Sequence, residues 1–265
     1  MSNSEASRVR NPKIVVITQA RIGSSRLPGK VLRPLGDSTL LECHLERLKS
    51  SKSPQEIVVA TTLEDDVKPL LSLVSGAGVA YFQGSTTDVL ERFYRAAEHH
   101  KAELVVRVTS DCPLIDGELL DKVILEAVKS GVDYCSNVLI ESFPDGQDIE
   151  VMKFSALETA WKEATLQSDR EHVTPFIRRN SDFFGESRFR ATNLECEQHY
   201  GDIRMTVDEA ADLEAVEALI GALGKEARWR DYADYIRSNI SRFSNQAINR
   251  NEGYKPSSHD AKNNA

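Results

Sequence analysis

Short runs of aliphatic and β-branched residues alternate with longer amphipathic segments along the first half of the chain. In the longer segments the apolar residues recur every three or four positions, which is typical of helices, whereas the short runs are typical of buried strands. The predicted strands cover 13–18, 56–61, 79–83, 104–108 and 133–136, and the predicted helices cover 38–50, 64–75, 87–100 and 117–130. This alternation indicates an α/β fold with a mostly parallel, twisted sheet that is flanked by helices.

The alternation is less regular after residue 137. Residues 143–151 begin with turn-forming residues and end as a predicted strand. Helices are predicted over 155–165, 168–179, 209–223 and 228–241, and short strands over 187–192 and 202–206. We expect a single domain over 13–243, with a small subregion around 138–206 and a flexible leader over 1–12. Residues 244–265 are rich in Asn, Ser and Lys, so we expect a disordered tail there.

The charge balance is acidic, with 33 Lys plus Arg against 41 Asp plus Glu and a formal net charge of -8. This balance argues against general nucleic-acid binding, which requires a basic surface. The N-terminus lacks the pattern of a signal peptide, and no apolar run is long enough for a membrane span. We therefore expect a protein that acts in the cytoplasm without a membrane or nucleic-acid partner.

The four cysteines, at positions 43, 112, 135 and 196, form no C-x-x-C pair. Their spacing favours buried thiols in a reducing compartment over a disulfide framework or a zinc site. Cys196 and His199 could form half of a metal site, but no second half follows, so ordinary packing is the simpler interpretation.

Positive charge is concentrated directly after the first predicted strand. Residues 6–36 contain seven Lys or Arg and no Asp or Glu, and Arg21, Arg26 and Lys30 lie within ten positions. Gly23 and Gly29 permit backbone conformations that a side chain would hinder. A basic, glycine-containing loop at a strand end predicts a site for a polyphosphate, although a solvated surface loop would have the same composition.

Two familiar phosphate motifs do not match this loop. Five residues separate Gly23 from Gly29, one more than a P-loop allows, and Val31 supplies no hydroxyl for magnesium. The dinucleotide fingerprint G-x-G-x-x-G is also missing from the loop. These mismatches argue against Walker-type ATP hydrolysis and against NAD binding.

Asp111 follows the fourth predicted strand, as the basic loop follows the first. Ligands of parallel sheets bind beyond the carboxyl ends of the strands, so the cations and this carboxylate should meet at one edge. The alternative is that Asp111 only caps a helix or stabilises a turn.

The loop Ala20-Arg-Ile-Gly-Ser-Ser-Arg-Leu-Pro-Gly-Lys-Val31 resembles the opening motif of the cytidylyltransferases that activate acidic sugars, the CMP-Kdo and CMP-sialate synthetases. The likeness is strongest to the SpsF-like branch, named for spore coat polysaccharide biosynthesis, and spans roughly residues 13–223. Four further segments resemble that branch: Gly84-Ser-Thr-Thr-Asp-Val-Leu-Glu-Arg-Phe93, Arg107-Val-Thr-Ser-Asp-Cys-Pro-Leu-Ile115, Ser168-Asp-Arg-Glu-His-Val-Thr-Pro175 and Arg204-Met-Thr-Val-Asp208.

The resemblance implies a fold of the nucleotide-diphospho-sugar transferase (GT-A-like) type, CTP as co-substrate, Mg²⁺ as cofactor, a sugar or acidic sugar as acceptor, and a homodimer. It implies that Asp111 and Asp208 bind the metal, and that Arg21, Lys30 and Asp111 are the catalytic residues. The residues that it implies for nucleotide binding are Ala20, Arg21, Gly23, Ser24, Ser25, Arg26, Lys30, Gly84, Asp88, Arg92 and Ser110.

Three of these assignments have structural alternatives, and one position departs from the family pattern. Asp208 could be the N-cap of the following helix, and Asp88 and Arg92 could be an N-cap and a solvated surface arginine. Cys112 stands where the Kdo enzymes typically have Glu, which leaves a second metal position open.

The implied reaction is attack by an acceptor oxygen on the α-phosphorus of CTP with release of pyrophosphate, for surface polysaccharide or glycan biosynthesis. Arg170 could bind a sugar carboxylate and His172 could accept a proton, and Asp145 could contact acceptor hydroxyls. An exposed helix face or a surface turn would show the same residues. The candidate acceptor-binding set is Gln147, Asp148, Glu150, Arg170, Glu171 and His172.

Two other functions remain open from sequence. A GT-A-type glycosyltransferase would use a finished nucleotide-sugar, but it would normally show Asp-x-Asp where this chain has Asp111-Cys-Pro113. A catalytically silent nucleotide-binding protein would have little reason to keep Arg21, Lys30, Asp111 and Asp208 together.

Overall fold

The structure, a computed structural model, describes residues 12–24 and 26–250. The candidate nucleotide-binding residue Ser25 lies outside the described residues, as do nearly all of the predicted leader and residues 251–265 of the predicted tail.

A seven-stranded sheet forms the centre of the molecule. The strands in chain order are β1 (Ile14–Gln19), β2 (Pro34–Leu35), β3 (Ser38–Thr39), β4 (Glu56–Thr62), β5 (Ala80–Gly84), β6 (Leu104–Thr109), β7 (Tyr134–Ser136), β8 (Glu150–Lys153) and β9 (Ala191–Asn193). β2 and β3 form a separate antiparallel hairpin, and the others are ordered β5-β4-β1-β6-β8-β7-β9. β5, β4, β1 and β6 are parallel, whereas β8 is antiparallel to both its neighbours. The predicted mostly parallel α/β sheet is confirmed.

Helices cover both faces of the sheet. They are α1 (Leu40–Lys49), α2 (Lys68–Gly76), α3 (Val89–His99), α4 (Gly117–Ser130), α5 (Phe154–Glu163), α6 (Gln167–His172), α7 (Pro175–Arg179), α8 (Ala210–Leu223) and α9 (Trp229–Ser238). The side chains of a strand alternate between the faces, so Val16 of β1 packs with α1, α2 and α4, and its neighbours Val15 and Ile17 pack with α3 and α5. None of the helices in the described ranges combines the length and apolar character needed to cross a membrane.

Two predicted elements differ from the structure. The helix predicted over 168–179 is interrupted between α6 and α7, where Val173 has a φ of 73°. Pro175 begins the second helix, because its ring fixes φ and it needs no hydrogen-bond donor at that position. Residues 202–206 form an isolated bridge between Arg204 and Asp145 instead of a strand.

The predicted disordered tail begins too early. Ser244–Ala247 form a 3-10 helix, and Asn245 is buried. Its side-chain amide donates hydrogen bonds to the Asp212 carboxylate and to the Arg204 carbonyl. These bonds hold the segment in place although its polar composition suggested disorder.

The turn Pro144–Gln147 lies directly on the backbone of residues 205–206. Gly146 occupies its third position with a φ of 105°, and the Gln147 amide donates to the Pro144 carbonyl at 3.0 Å. A Cβ atom at Gly146 would stand 2.8 Å from the carbonyl carbon of Met205 and from the amide nitrogen of Thr206. Only glycine therefore allows this turn to approach so closely.

We expect Gly146→Ala to lower the free energy of unfolding by roughly 2 kcal/mol or more, because it combines a strained φ with a clash against backbone. Gly221→Ala is the matched control, since Gly221 lies inside α8 with open space around it. That control should be neutral or stabilising by up to about 1 kcal/mol. Urea unfolding of both variants measures the difference, and equal stabilities would contradict the proposed clash.

Candidate active site

Three segments that are distant in sequence meet at the carboxyl ends of β1 and β6. The Lys30 ammonium donates hydrogen bonds to Asp111 Oδ2 at 3.2 Å, to Asp208 Oδ1 at 2.9 Å and to the Val207 carbonyl at 3.0 Å. The cations and the carboxylate predicted to meet at one edge of the sheet do so. One ammonium is thus shared by both aspartates of the predicted metal pair.

The backbone places these three side chains. Gly29 adopts the left-handed conformation, with φ 67°, and starts the 3-10 helix Lys30–Leu32. The Val207 amide donates to the Asp111 carbonyl at 2.8 Å, which ties the segment before α8 to the turn after β6. Neither aspartate is needed as a cap, because Asp116 caps α4 and the Glu209–Asp212 pair caps α8. The helix-cap alternatives for Asp111 and Asp208 are therefore wrong.

The shared ammonium keeps the Asp111 carboxyl ionised. Burial alone would raise the pKa of the Asp111 carboxyl, but Lys30, together with hydrogen bonds from Thr109 and Cys112, lowers it to about 2. Burial alone would lower the pKa of Lys30, yet the charges of Asp111 and Asp208 raise it. Lys30 and Asp111 are consequently charged at neutral pH.

Asp111 and Asp208 form a suitable pair of ligands for a hard divalent cation. Magnesium takes one or two protein carboxylates and completes its coordination with phosphate oxygens and water. Within residues 12–24 and 26–250 no group of three or more His, Cys, Asp or Glu side chains is placed to bind a metal. Burial and the Asp111 charge raise the pKa of the Cys112 thiol, so it adds no thiolate ligand.

The basic loop also contacts the cluster through Arg26. Arg26 forms an ion pair with Asp208 at 3.1 Å, and Arg21 is exposed just beyond β1. Gly23 is exposed, and Ser24 Oγ accepts a hydrogen bond from the Leu27 amide. Two other predicted nucleotide-binding residues, Ala20 and Ser110, are buried, so only small or backbone surfaces of theirs could reach a ligand.

Arg92 is a buried arginine and not the solvated one that was the alternative. Its side chain crosses the end of β5, where a Cβ at Gly84 would lie 3.2 Å from Arg92 Cγ. Arg92 Nη1 donates to the Ser85 carbonyl at 2.6 Å, and its Nε has no hydrogen-bond partner in the described part of the chain. Burial, and then the nearby Arg21 charge, lower the pKa of Arg92 to about 10.

Arg170 binds a carboxylate of the protein itself. Its Nε and Nη2 donate to Asp88 Oδ2, the first at 2.9 Å, and its Nη1 donates to the Trp161 carbonyl at 2.7 Å. Asp88 also caps α3 through its other oxygen, so the cap alternative for this residue is confirmed. In this geometry Arg170 is occupied by Asp88 and does not present its guanidinium to a sugar carboxylate. Its neighbours Glu171 and His172 are exposed and half-buried.

Gln147 and Glu150, two residues of the predicted acceptor-binding set, are hydrogen-bonded to other parts of the protein. The Gln147 side chain accepts from the Asp116 amide at 3.0 Å and donates to the Leu114 carbonyl at 2.8 Å. Glu150 accepts from Tyr134 and Arg107 inside the sheet. Both side chains are buried. These hydrogen bonds satisfy their polar groups, as is usual inside a protein.

The neighbouring acids Asp145 and Asp148 lie closer to the site. Arg204 binds Asp145 at 3.0 Å, and Arg250 binds Asp148 at 2.6 Å. Burial and the Asp148 charge raise the pKa of the Asp145 carboxyl to about 7 in spite of both arginines. The Asp111 charge contributes to this increase, so the predicted acceptor side adjoins the predicted metal pair.

Sequence reasoning missed Arg204. This buried residue donates to Asp212 twice at 2.8 Å, to Asp145 at 3.0 Å, and lies 3.5 Å from Asp208. It thereby joins the predicted metal ligand to the acidic turn. An arginine four positions before Asp208, in an otherwise apolar segment, was the signal available.

Comparisons with known proteins show which family has this sequence pattern and this fold. The sequence profile described as cytidylyltransferase matches residues 15–239. An uncharacterised protein of Methanocaldococcus jannaschii is 43% identical, with 76% of this chain and 80% of that protein covered. The spore coat polysaccharide biosynthesis protein SpsF of Bacillus subtilis is 34% identical, with 80% and 88% covered. A solved cytidylyltransferase structure from Leptospira borgpetersenii has a TM-score of 0.84 and 33% identity, and covers 91% of this chain and 100% of its own.

We expect Asp111→Asn to lower the free energy of unfolding by about 2 kcal/mol at pH 7, because the pKa of Asp111 falls from the ordinary 3.8 to about 2 on folding. A depressed carboxyl pKa stabilises the fold above about pH 4, and this contribution is lost as the pH falls to about 2. The difference between wild type and variant should therefore shrink over that interval in chemical denaturation.

The control for this prediction is the same substitution in a Lys30→Met background. Removing Lys30 removes the main attraction that lowers the Asp111 pKa, so Asp111→Asn should cost clearly less there. A difference that stays constant from pH 7 to pH 2 would contradict the depressed pKa.

Proposed function

The chain belongs to the cytidylyltransferase family, and we propose that it transfers CMP from CTP to a hydroxyl of a sugar or acidic-sugar acceptor. An acceptor oxygen attacks the α-phosphorus, and pyrophosphate leaves. The observation that carries this proposal is the Lys30 ammonium between Asp111 and Asp208, at the strand ends where the basic loop begins.

Cations of the chain bind and orient the triphosphate. Arg21 is exposed. Arg26 and Lys30 form ion pairs with carboxylates, and each of these cations can bind phosphate oxygens instead. Lys30 and Arg21 then neutralise charge on the departing pyrophosphate. Phosphoryl-transfer enzymes depend mainly on such positioning and charge stabilisation.

Asp111 and Asp208 hold Mg²⁺ in this proposal. An ion bound there would neutralise negative charge on the phosphates, which the carboxylates alone cannot do because they are negative themselves. Arg204 forms an ion pair with Asp208 and also binds Asp212, four positions later in the chain. These contacts keep Asp208 in place.

In this proposal the nucleoside and the acceptor contact different residues around this cluster. On the nucleoside side, Gly84 and Arg92 border the site, and Asp88 acts by fixing Arg170. On the acceptor side, Asp145 and Asp148 accept hydrogen bonds from sugar hydroxyls, and Glu171 and His172 are the remaining candidates. His172 is the candidate proton acceptor.

The SpsF relative supports a role in surface polysaccharide or glycan biosynthesis. We further propose that the enzyme is a cytoplasmic homodimer. Its four cysteines are free, and three of them are buried, as expected of a protein from a reducing compartment.

We expect CTP with Mg²⁺ to raise the thermal unfolding midpoint, whereas UTP, ATP and GTP should raise it less. Ligand at about 100 times its Kd adds roughly 2.7 kcal/mol to stability, which corresponds to a shift of roughly 5 °C in a protein of this size. EDTA should reduce the shift, and Asp111→Ala should abolish both the metal-dependent shift and pyrophosphate release. Differential scanning fluorimetry and a pyrophosphate assay measure the two effects.

The exposed Glu186 provides the matched control, because it precedes β9, whose amino end lies at the sheet edge opposite the cluster, and Glu186→Ala should keep the wild-type shift. Equal stabilisation by every triphosphate would contradict the choice of CTP. Stabilisation by CMP-sugars or UDP-sugars but by no triphosphate would identify a glycosyltransferase instead.

A further inference from the structure

The segment that ends the described chain returns to the candidate active site. We call residues 243–250 the C-terminal strap. They follow the residues 15–239 that the family profile matches. The contacts that they make with the site therefore lie outside the residues that the family profile matches.

The strap first contacts Arg204. Gln246 Oε1 accepts from the Arg204 amide at 2.9 Å, and Gln246 Nε2 donates to the Arg204 carbonyl at 2.8 Å. Asn245 Nδ2 donates to Asp212 Oδ1 at 3.2 Å. Both polar groups of Arg204's backbone are thus satisfied by one side chain of the strap, beside the arginine that holds Asp145 and Asp208.

The strap then contacts the acidic segment 141–150 through Arg250. Its Nη2 donates to Asp148 Oδ1 at 2.6 Å, its Nη1 donates to the Phe143 carbonyl at 3.1 Å, and its Nε lies 3.6 Å from Glu141 Oε1. The Arg250 side chain is only 12% exposed. A guanidinium buried to this extent, with a backbone carbonyl as second acceptor, differs from a solvated surface ion pair.

Charge balance explains why this contact matters. Residues 141–150 contain four carboxylates and no Lys or Arg. Three arginines from other segments compensate them: Arg107 binds Glu150, Arg204 binds Asp145, and Arg250 binds Asp148 and also pairs with Glu141. Arg250 is the sole hydrogen-bond donor to the Asp148 carboxylate within the described ranges. Without it, a partly buried carboxylate would lose its counter-charge beside Asp145.

We propose that Arg250 is a positioning residue: it fixes Asp148 and the turn Pro144–Gln147, so that Asp145 and Asp148 face the acceptor beside the Lys30 cluster. The acceptor role of this turn rests on the proposed function, whereas the positioning of the turn does not. Arg250 therefore acts on the acceptor side and leaves the nucleotide side unchanged.

Three variants test this proposal. Arg250→Ala removes the contact, and Arg250→Lys keeps the charge. Arg242→Ala is the matched control, because Arg242 lies just before the strap and its side chain contacts Tyr235 of α9. Hydrogen–deuterium exchange of residues 141–148, measured on the full-length protein, should be at least about tenfold faster in Arg250→Ala. Arg250→Lys should restore most of the protection, and Arg242→Ala should match wild type.

Affinity for CTP with Mg²⁺, measured by calorimetry, should stay within about twofold of wild type in all three variants. Pyrophosphate release with 3-deoxy-manno-octulosonate or N-acetylneuraminate as the probe sugar should show a sugar KM about tenfold higher in Arg250→Ala. The KM for CTP should not change. A loss of general stability would instead affect both substrates.

Unchanged exchange in Arg250→Ala, or no recovery in Arg250→Lys, would overturn the proposal. So would a parallel loss of CTP affinity, because the strap would then support the whole fold. A wild-type protein that binds no CTP would overturn the proposed function, while the exchange measurement would still decide the role of Arg250.

Discussion

One lysine ammonium holds the candidate active site together. Lys30, Asp111 and Asp208 come from three distant segments, and without the shared cation the two carboxylates would repel each other at the sheet edge. With Arg26 included, the cluster is formally neutral. In the proposed reaction Lys30 and Arg26 would bind phosphate oxygens in place of the carboxylates, and Asp111 and Asp208 would then be the residues that hold Mg²⁺. The ligand-free protein therefore already contains both halves of the charge pattern that the triphosphate complex needs.

The carboxylates around this cluster are fixed by arginines. Arg204 binds Asp145 and Asp212, Arg107 binds Glu150, and Arg228 binds Asp116 at 2.7 Å. Most of these acids are buried, and a buried carboxylate is tolerated only with a counter-charge and hydrogen bonds. Planar guanidinium groups satisfy both needs at once. These buried ion pairs therefore hold the site residues in position together with the sheet.

The sequence predicted the sheet and the cluster but not these pairings. Apolar periodicity identifies which face of a strand is buried, and the carboxyl ends of parallel strands must meet, so Lys30 and Asp111 could be placed together. Periodicity carries no information on which polar partners meet across the fold. Arg170 was therefore predicted to be available to a ligand, although it binds Asp88. The tail was predicted to be disordered, although its residues Gln246 and Arg250 bind Arg204 and Asp148.

These pairings bear on what the acceptor can be. An acceptor carboxylate would need a cation, and Arg170, which the sequence suggested for this role, is bound to Asp88 and to the Trp161 carbonyl. Sugar hydroxyls, in contrast, can donate directly to Asp145 and Asp148. Asp148 keeps 36% of its side chain exposed even with Arg250 bound. On the proposed acceptor side hydroxyl groups therefore find more partners than an acidic group does, so the proposed acceptors include neutral sugars as well as acidic ones.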